Sequence, residues 1–241
     1  MELARLVDAY TVRARLLPAL IAALPLGIAT LAWFPNGVLG WGAVWALIVW
    51  SGGTFLLSEL GRDAGKRKEP GLFASWGGKP TTRLLQHQGA ANKPLVARRH
   101  TKLAALTGIA MPTAEAEAAD PRAADEIYEA WCTVLRDRTR DRKQFNLIFT
   151  ENCSYGFRRN LWGMKSVGIG LALVGLAGVA LIPWIDPSAR AAPRVGTVIV
   201  TGGINALLLL GWLFVITPAW VRTPADEYAQ RLLEACERLN Q

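Results

Sequence analysis

Four long apolar runs of this chain, Leu16 to Phe34, Val38 to Leu57, Ser166 to Trp184 and Val195 to Pro218, contain no Asp, Glu, Lys, Arg or His. Proton relays, voltage sensors and ion-coupled transporters need ionisable groups at depth, so this lack argues against all three. Histidine is scarce as well, with only His87 and His100 in the whole chain. Cysteine is limited to Cys132, Cys153 and Cys236, without the CxxC spacing and neighbouring histidines of a zinc site or the paired spacing of a disulfide framework. Neither a metal nor any other cofactor is expected.

What the chain has in abundance is apolar sequence gathered into blocks. Hydrophobic residues make up 51% of 241 and charged residues 19%, and nearly all the charge lies outside the four runs. At about 1.5 Å per residue, each run covers most of a bilayer core of about 30 Å. The first could pass for a signal peptide, but Pro35-Asn36-Gly37 leads straight into the second, and cleavage would leave no soluble protein to export. The third and fourth are joined by a polar segment, Ile185 to Arg194, that contains Pro187 and Pro193. The pattern predicts an all-α membrane protein with four transmembrane helices in two hairpins and a mainly helical cytoplasmic domain between them. The expected boundaries are an N-terminal interfacial segment over 1–15, a first hairpin over 16–57, the cytoplasmic domain over 58–165, a second hairpin over 166–218 and a C-terminal cytoplasmic helix over 219–241.

Charge sets the orientation. Near the span ends, twelve Lys and Arg fall on one side, and only Arg190 and Arg194 on the other. Basic residues are retained on the cytoplasmic face, so both termini and the central domain are expected there, in the inner (plasma) membrane. Trp33, Trp41 and Trp184 at the outer ends and Trp162 and Trp220 at the inner ends suit an interfacial aromatic belt. The same rule accounts for the net charge of +8, so nucleic acid is not an expected partner. The bilayer and its anionic head groups are.

The central segment, Glu59 to Asn160, carries 18 Lys and Arg against 12 Asp and Glu and is solvated. Frequent Gly and Pro in its first half predict loops and short helices. In its second half Asp120 as N-cap and Pro121 at the first helical position start a helix expected to run for about 30 residues. The charged stretch Arg136 to Lys143 must face water or a polar partner. After the fourth span, Thr223-Pro224 is expected to start a last helix, with Ala229, Leu232, Cys236 and Leu239 forming a packing seam against the central domain.

Candidate chemistry is sparse. Trp76-Gly77-Gly78-Lys79-Pro80-Thr81-Thr82 has Pro where a phosphate loop needs Ser or Thr, and reads as a Gly-Pro turn. Tyr155, Arg158, Arg159 and Asn160 lie where the long helix meets the third span, and Gly156 permits a sharp break there. That stretch is a membrane-surface elbow or a site for lipid phosphate or another anion. Thr197, Thr201 and Asn205, four residues apart on one face, either line a narrow pore or bond to a neighbouring helix or their own backbone. Gly168, Ala172 and Gly175 form a small-residue face for close helix packing, within the chain or between subunits. Cys153 beside the basic pair reads as a structural cysteine or as a nucleophile, and a membrane-surface enzyme would use Cys153, His87 or His100.

In layout, a cytoplasmic region set between two membrane hairpins, the chain resembles the four-transmembrane effectors of bacterial cyclic-oligonucleotide antiphage systems. The resemblance covers topology and carries over no functional residue. It implies a domain that receives a signal and spans that perturb the membrane. The leading expectation is a homo-oligomeric module whose cytoplasmic domain senses a nucleotide ligand or soluble protein and alters the packing of the spans, as a pore or channel-type effector. The alternatives are a non-conducting scaffold that recruits a soluble partner, and a membrane-surface enzyme acting on lipid or an anionic metabolite.

Overall fold

The computed structural model describes residues 8–34, 41–191 and 194–239, with side chains for 50 onwards in the second segment. Residues 1–7 of the expected N-terminal segment and the Pro35-Asn36-Gly37 joint lie outside the described residues. Every regular element among the described residues is helical. In chain order these are α1 (Ala9–Trp33), α2 (Trp41–Ser75), α3 (Pro80–Arg83), α4 (Lys93–Thr107), α5 (Ala114–Ala119), α6 (Pro121–Arg138), α7 (Asn146–Gly163), α8 (Lys165–Ile185), α9 (Arg194–Val215) and α10 (Pro218–Glu234). Among the described residues three helices are long and apolar enough to cross a membrane: α1, α8 and α9.

The chain divides into two compact units. One comprises Met1–Glu69 and Gly156–Val221, the other Pro70–Tyr155 and Arg222–Gln241. These divisions fall inside α2, α7 and α10, later in α2 and earlier in α7 than the boundaries expected at 58 and 165.

In the first unit, α1, α8 and α9 pack on one another. Ala22, Ala172, Trp212 and Ile216 build one part of the core with Leu161 and Met164, while Ala29, Ala32, Val179 and Ile182 build another. The outward faces are strongly apolar: Ile199, Leu207 and Phe214 on α9 are 67%, 69% and 73% exposed. In water such a surface would be costly, whereas lipid tails solvate it. Both α1 and α9 contain one π-helical stretch, Val12–Leu16 and Gly211–Val215. Between α8 and α9, Arg194 pairs with Asp186, and Arg190 donates to the Pro183 carbonyl at 2.8 Å.

In the second unit, α3 to α6 and the later part of α10 enclose Leu85, Leu103, Tyr128, Trp131, Leu135, Leu232 and Leu233. The helix starts follow their capping residues. Asn92, Thr113 and Asp120 each accept a bond from a backbone N–H of the first turn. Gly108 closes α4 in the left-handed region, with φ 71°. The seam Ala229, Leu232, Cys236 is buried in this unit.

Four helix boundaries differ from expectation. The second run does not end in loops near Glu59, because α2 continues to Ser75 through Gly61 and Gly65, and the break comes only at Gly77 and Gly78, both at positive φ. The expected helix of about 30 residues is two helices, α6 and α7. Asp141 makes the turn between them, its carboxylate accepting from Lys143 N at 2.8 Å and its carbonyl from Phe145 N at 2.9 Å. No elbow forms at Gly156, which sits inside continuous α7, and the break falls at Met164. The last helix starts at Pro218 and carries Pro224 in its interior.

Candidate functional site

The ends of α1, α2, α7, α8 and α9 carry a collar of polar contacts, most of them from side chains to backbone carbonyls. Pro18 has no N–H to offer the Ala14 carbonyl one turn back. Asn160 Nδ2, on a side chain only 1% exposed, donates to that carbonyl at 2.6 Å. At the end of α7, Lys68 Nζ donates to the Trp162 and Gly163 carbonyls at 3.3 and 3.0 Å. Burial, with Arg67 and Lys165 nearby, lowers the Lys68 pKa from its usual 10.5. At the end of α9, Lys165 Nζ donates to the Leu213 and Ile216 carbonyls at 3.0 and 2.8 Å, a cation on the negative end of a helix dipole.

The basic pair takes part in the same collar. Arg158 donates to the Trp220 carbonyl at 2.8 Å, with its guanidinium 4.7 Å from the Trp220 ring. Arg159, 8% exposed, donates to Glu69 at 3.3 Å and reaches Asn160 Oδ1 at 3.3 Å. Tyr155 is 9% exposed. Glycine allows the close crossing on which this depends. A Cβ on Gly65 would come within 2.6 Å of Asn160 Oδ1, and one on Gly163 would meet the Gly65 backbone. One on Gly156 would lie 2.8 Å from Tyr10 Oη.

The stripe on α9 turns largely on its own helix. Thr201 Oγ1 donates to the Thr197 carbonyl at 2.7 Å, and Asn205 Nδ2 to the Thr201 carbonyl at 3.2 Å. Thr197 is exposed and Asn205 wholly buried, with Oδ1 unpartnered among the described residues. The small-residue face of α8 is filled from within the chain. A Cβ on Gly168 would collide with the Trp212 ring, and one on Gly175 would lie 2.7 Å from the Pro25 carbonyl and 3.1 Å from Asn205 Oδ1. Ala172 is fully buried.

In the second unit the two histidines come together, with ring centroids 4.6 Å apart. His100 Nε2 lies 2.7 Å from the Leu85 carbonyl and His87 Nε2 3.0 Å from that of Pro112. Beside them is Glu117, 5% exposed, which accepts from Tyr128 Oη at 2.6 Å and from the backbone N–H of His87 and Gln88. Its pKa is lowered: burial pushes it up, but the three donors and His87 outweigh burial. Burial drives His100 below its usual 6.5. Sequence reasoning missed Glu117, although Glu115 and Glu117, two apart on a short helix, cannot share one face.

Glu117 and the Nε2 atoms of both histidines are bonded to Tyr128 and to backbone, and among the described residues no set of three His, Cys, Asp or Glu could hold a metal. Cys132, Cys153 and Cys236 are all buried, and burial raises the Cys132 and Cys236 thiols to about 11. Such thiols are poor nucleophiles. Comparison with protein-family models, curated proteins and solved structures finds no match.

Proposed function

We propose that this chain is an integral membrane scaffold with four spans in two hairpins, which holds a soluble partner at the cytoplasmic face without conducting ions. The fourth span is the apolar part of α2, and the twelve-to-two distribution of basic residues supports the orientation. One observation carries the non-conducting reading. The features suited to a shared pore, the polar stripe of α9 and the small-residue face of α8, are occupied by their own backbone and by Trp212, Pro25 and Asn205 of the same chain.

A partner surface is offered by the end of α6 and the turn that follows. Arg136, Arg138, Arg140, Arg142 and Lys143 stand there against Asp137 and Asp141, and residues 140–144 are exposed. This excess favours an acidic partner.

Ion flux into liposomes tests the scaffold. Purified protein reconstituted with or without cyclic oligonucleotides should leave flux at the level of protein-free vesicles. Protein-dependent flux that falls in Asn205→Leu would instead establish the pore.

A further inference from the structure

A cavity of about 110 Å³ opens in the second unit where the turn after α6 enters α7. Gln144 and Asn146 line it from that segment, and Arg231, Glu234 and Arg238 line it from the end of α10 and the residues after it. Phe145, Ile148 and Ala235, all buried, make part of its lining apolar.

The charge of this lining is uneven. Arg231 is paired with Glu234 at 3.0 Å, which leaves Arg238 as the unmatched charge. The Arg238 guanidinium and the carboxamides of Gln144 and Asn146 make no side-chain hydrogen bond or ion pair among the described residues. Arg142 and Lys143 directly precede Gln144, and the Asp141 carbonyl accepts from Phe145 N, so the basic turn ends at the cavity.

A guanidinium and two carboxamides can all donate to a carboxylate, and the apolar part of the lining suits the methylenes that carry one. Size narrows the choice further. Clefts that enclose a whole small molecule run to roughly 300–1,000 Å³, so this one suits a single side chain and not a nucleotide.

We infer that the cavity takes one Asp or Glu side chain of a soluble partner, its carboxylate within reach of Arg238, Gln144 and Asn146. The inference rests on the acidic partner proposed for the basic turn, and gives that partner an anchoring residue.

Fluorescence anisotropy of labelled hexaglutamate, added to the full chain in a non-ionic detergent with hexaglutamine as control, tests it. Hexaglutamate should bind more tightly, and Arg238→Glu should weaken it about tenfold, through one lost attraction and one added repulsion. Arg122→Glu changes the net charge equally at a side chain 92% exposed near the far end of α6, and should leave binding unchanged. Asn146→Leu, which alters no charge, should weaken binding about threefold. Glu234→Gln should strengthen it about threefold, whereas loss of a merely structural ion pair would not.

Equal weakening by Arg122→Glu and Arg238→Glu would assign the peptide to the general field of the protein and overturn the cavity. Loss of binding in Arg140→Glu with none in Arg238→Glu would overturn it too, and leave the basic turn as the partner's seat. Displacement of the peptide by an equal concentration of inorganic phosphate would make the cavity a phosphate site instead. Hexaglutamate binding no tighter than hexaglutamine would overturn the acidic partner itself.

Discussion

At the scale of single residues, several buried polar side chains bond to backbone carbonyls far away in the chain. Asn160 is the clearest case, since its partner carbonyl on Ala14 is freed by Pro18. His100 is the case that responds to pH. Its Nε2 meets the Leu85 carbonyl, so the neutral form carries its proton there, and Nδ1 is buried without a partner among the described residues. Protonation would add a buried donor with nowhere to donate, among His87, Glu117, Tyr128 and Trp131. Because burial lowers the His100 pKa in the folded state, the unfolded chain takes up the proton first. The contribution is therefore complete above about pH 6.5 and is lost as pH falls through that value towards the folded one. The thermal midpoint of the protein in detergent should drop between pH 7 and pH 5. His100→Gln, which keeps a donor for Leu85 and cannot titrate, should flatten that drop while leaving the steeper loss below about pH 4.5 that Glu117 causes. An unaltered slope in His100→Gln would remove His100 from the account.

At the scale of helices, glycine decides the crossings, and one position tests this directly. Leucine at Gly175 would drive a branched side chain towards the Pro25 carbonyl, a backbone atom of α1 that cannot swing aside. Overpacking of this kind typically costs about 1–3 kcal/mol, and a backbone neighbour places it at the upper end. Less folded protein should be recovered, while the mass of what does fold should show the same subunit number. Gly170→Leu, on the same helix with nothing within 4 Å of its Cβ, should behave like wild type. Normal yield in Gly175→Leu would mean that α1 and α8 do not pack as described. The helices themselves were largely legible in the sequence: α1, α8 and α9 from uncharged runs, and α6 from Asp120 and Pro121. Their continuations were not. Gly61, Gly65 and Gly156 carry the same letter as a helix break, and only the close approach of Asn160, Met164 and Tyr10 shows that they are there to admit a neighbour. The candidate site was legible as a list, Tyr155, Arg158, Arg159 and Asn160, but their partners Ala14, Glu69 and Trp220 are 62 to 146 residues distant, and no local pattern names them.

At the scale of the whole molecule, orientation is the property on which the proposed function depends, and the native cysteines cannot report it. Cys132, Cys153 and Cys236 are 0%, 3% and 3% exposed, so an impermeant thiol reagent should leave them unmodified on either side of a membrane. Their burial supplies a quiet background for two introduced cysteines. Ser188 is exposed in the segment joining α8 to α9, and Gln144 is exposed in the turn between α6 and α7. Of the three candidate spans, only α8 lies between these positions in the chain, so the pair measures one crossing and its direction at once. The excess of basic residues on one side of the spans predicts that Ser188→Cys is modified in intact cells and that Gln144→Cys is modified only after the membrane is permeabilised. The opposite result would invert the protein and put the basic turn at 136–143 on the outer face, where a soluble cytoplasmic partner could not reach it. Modification of both in intact cells would mean that α8 does not cross, and the two-hairpin arrangement would fall with it.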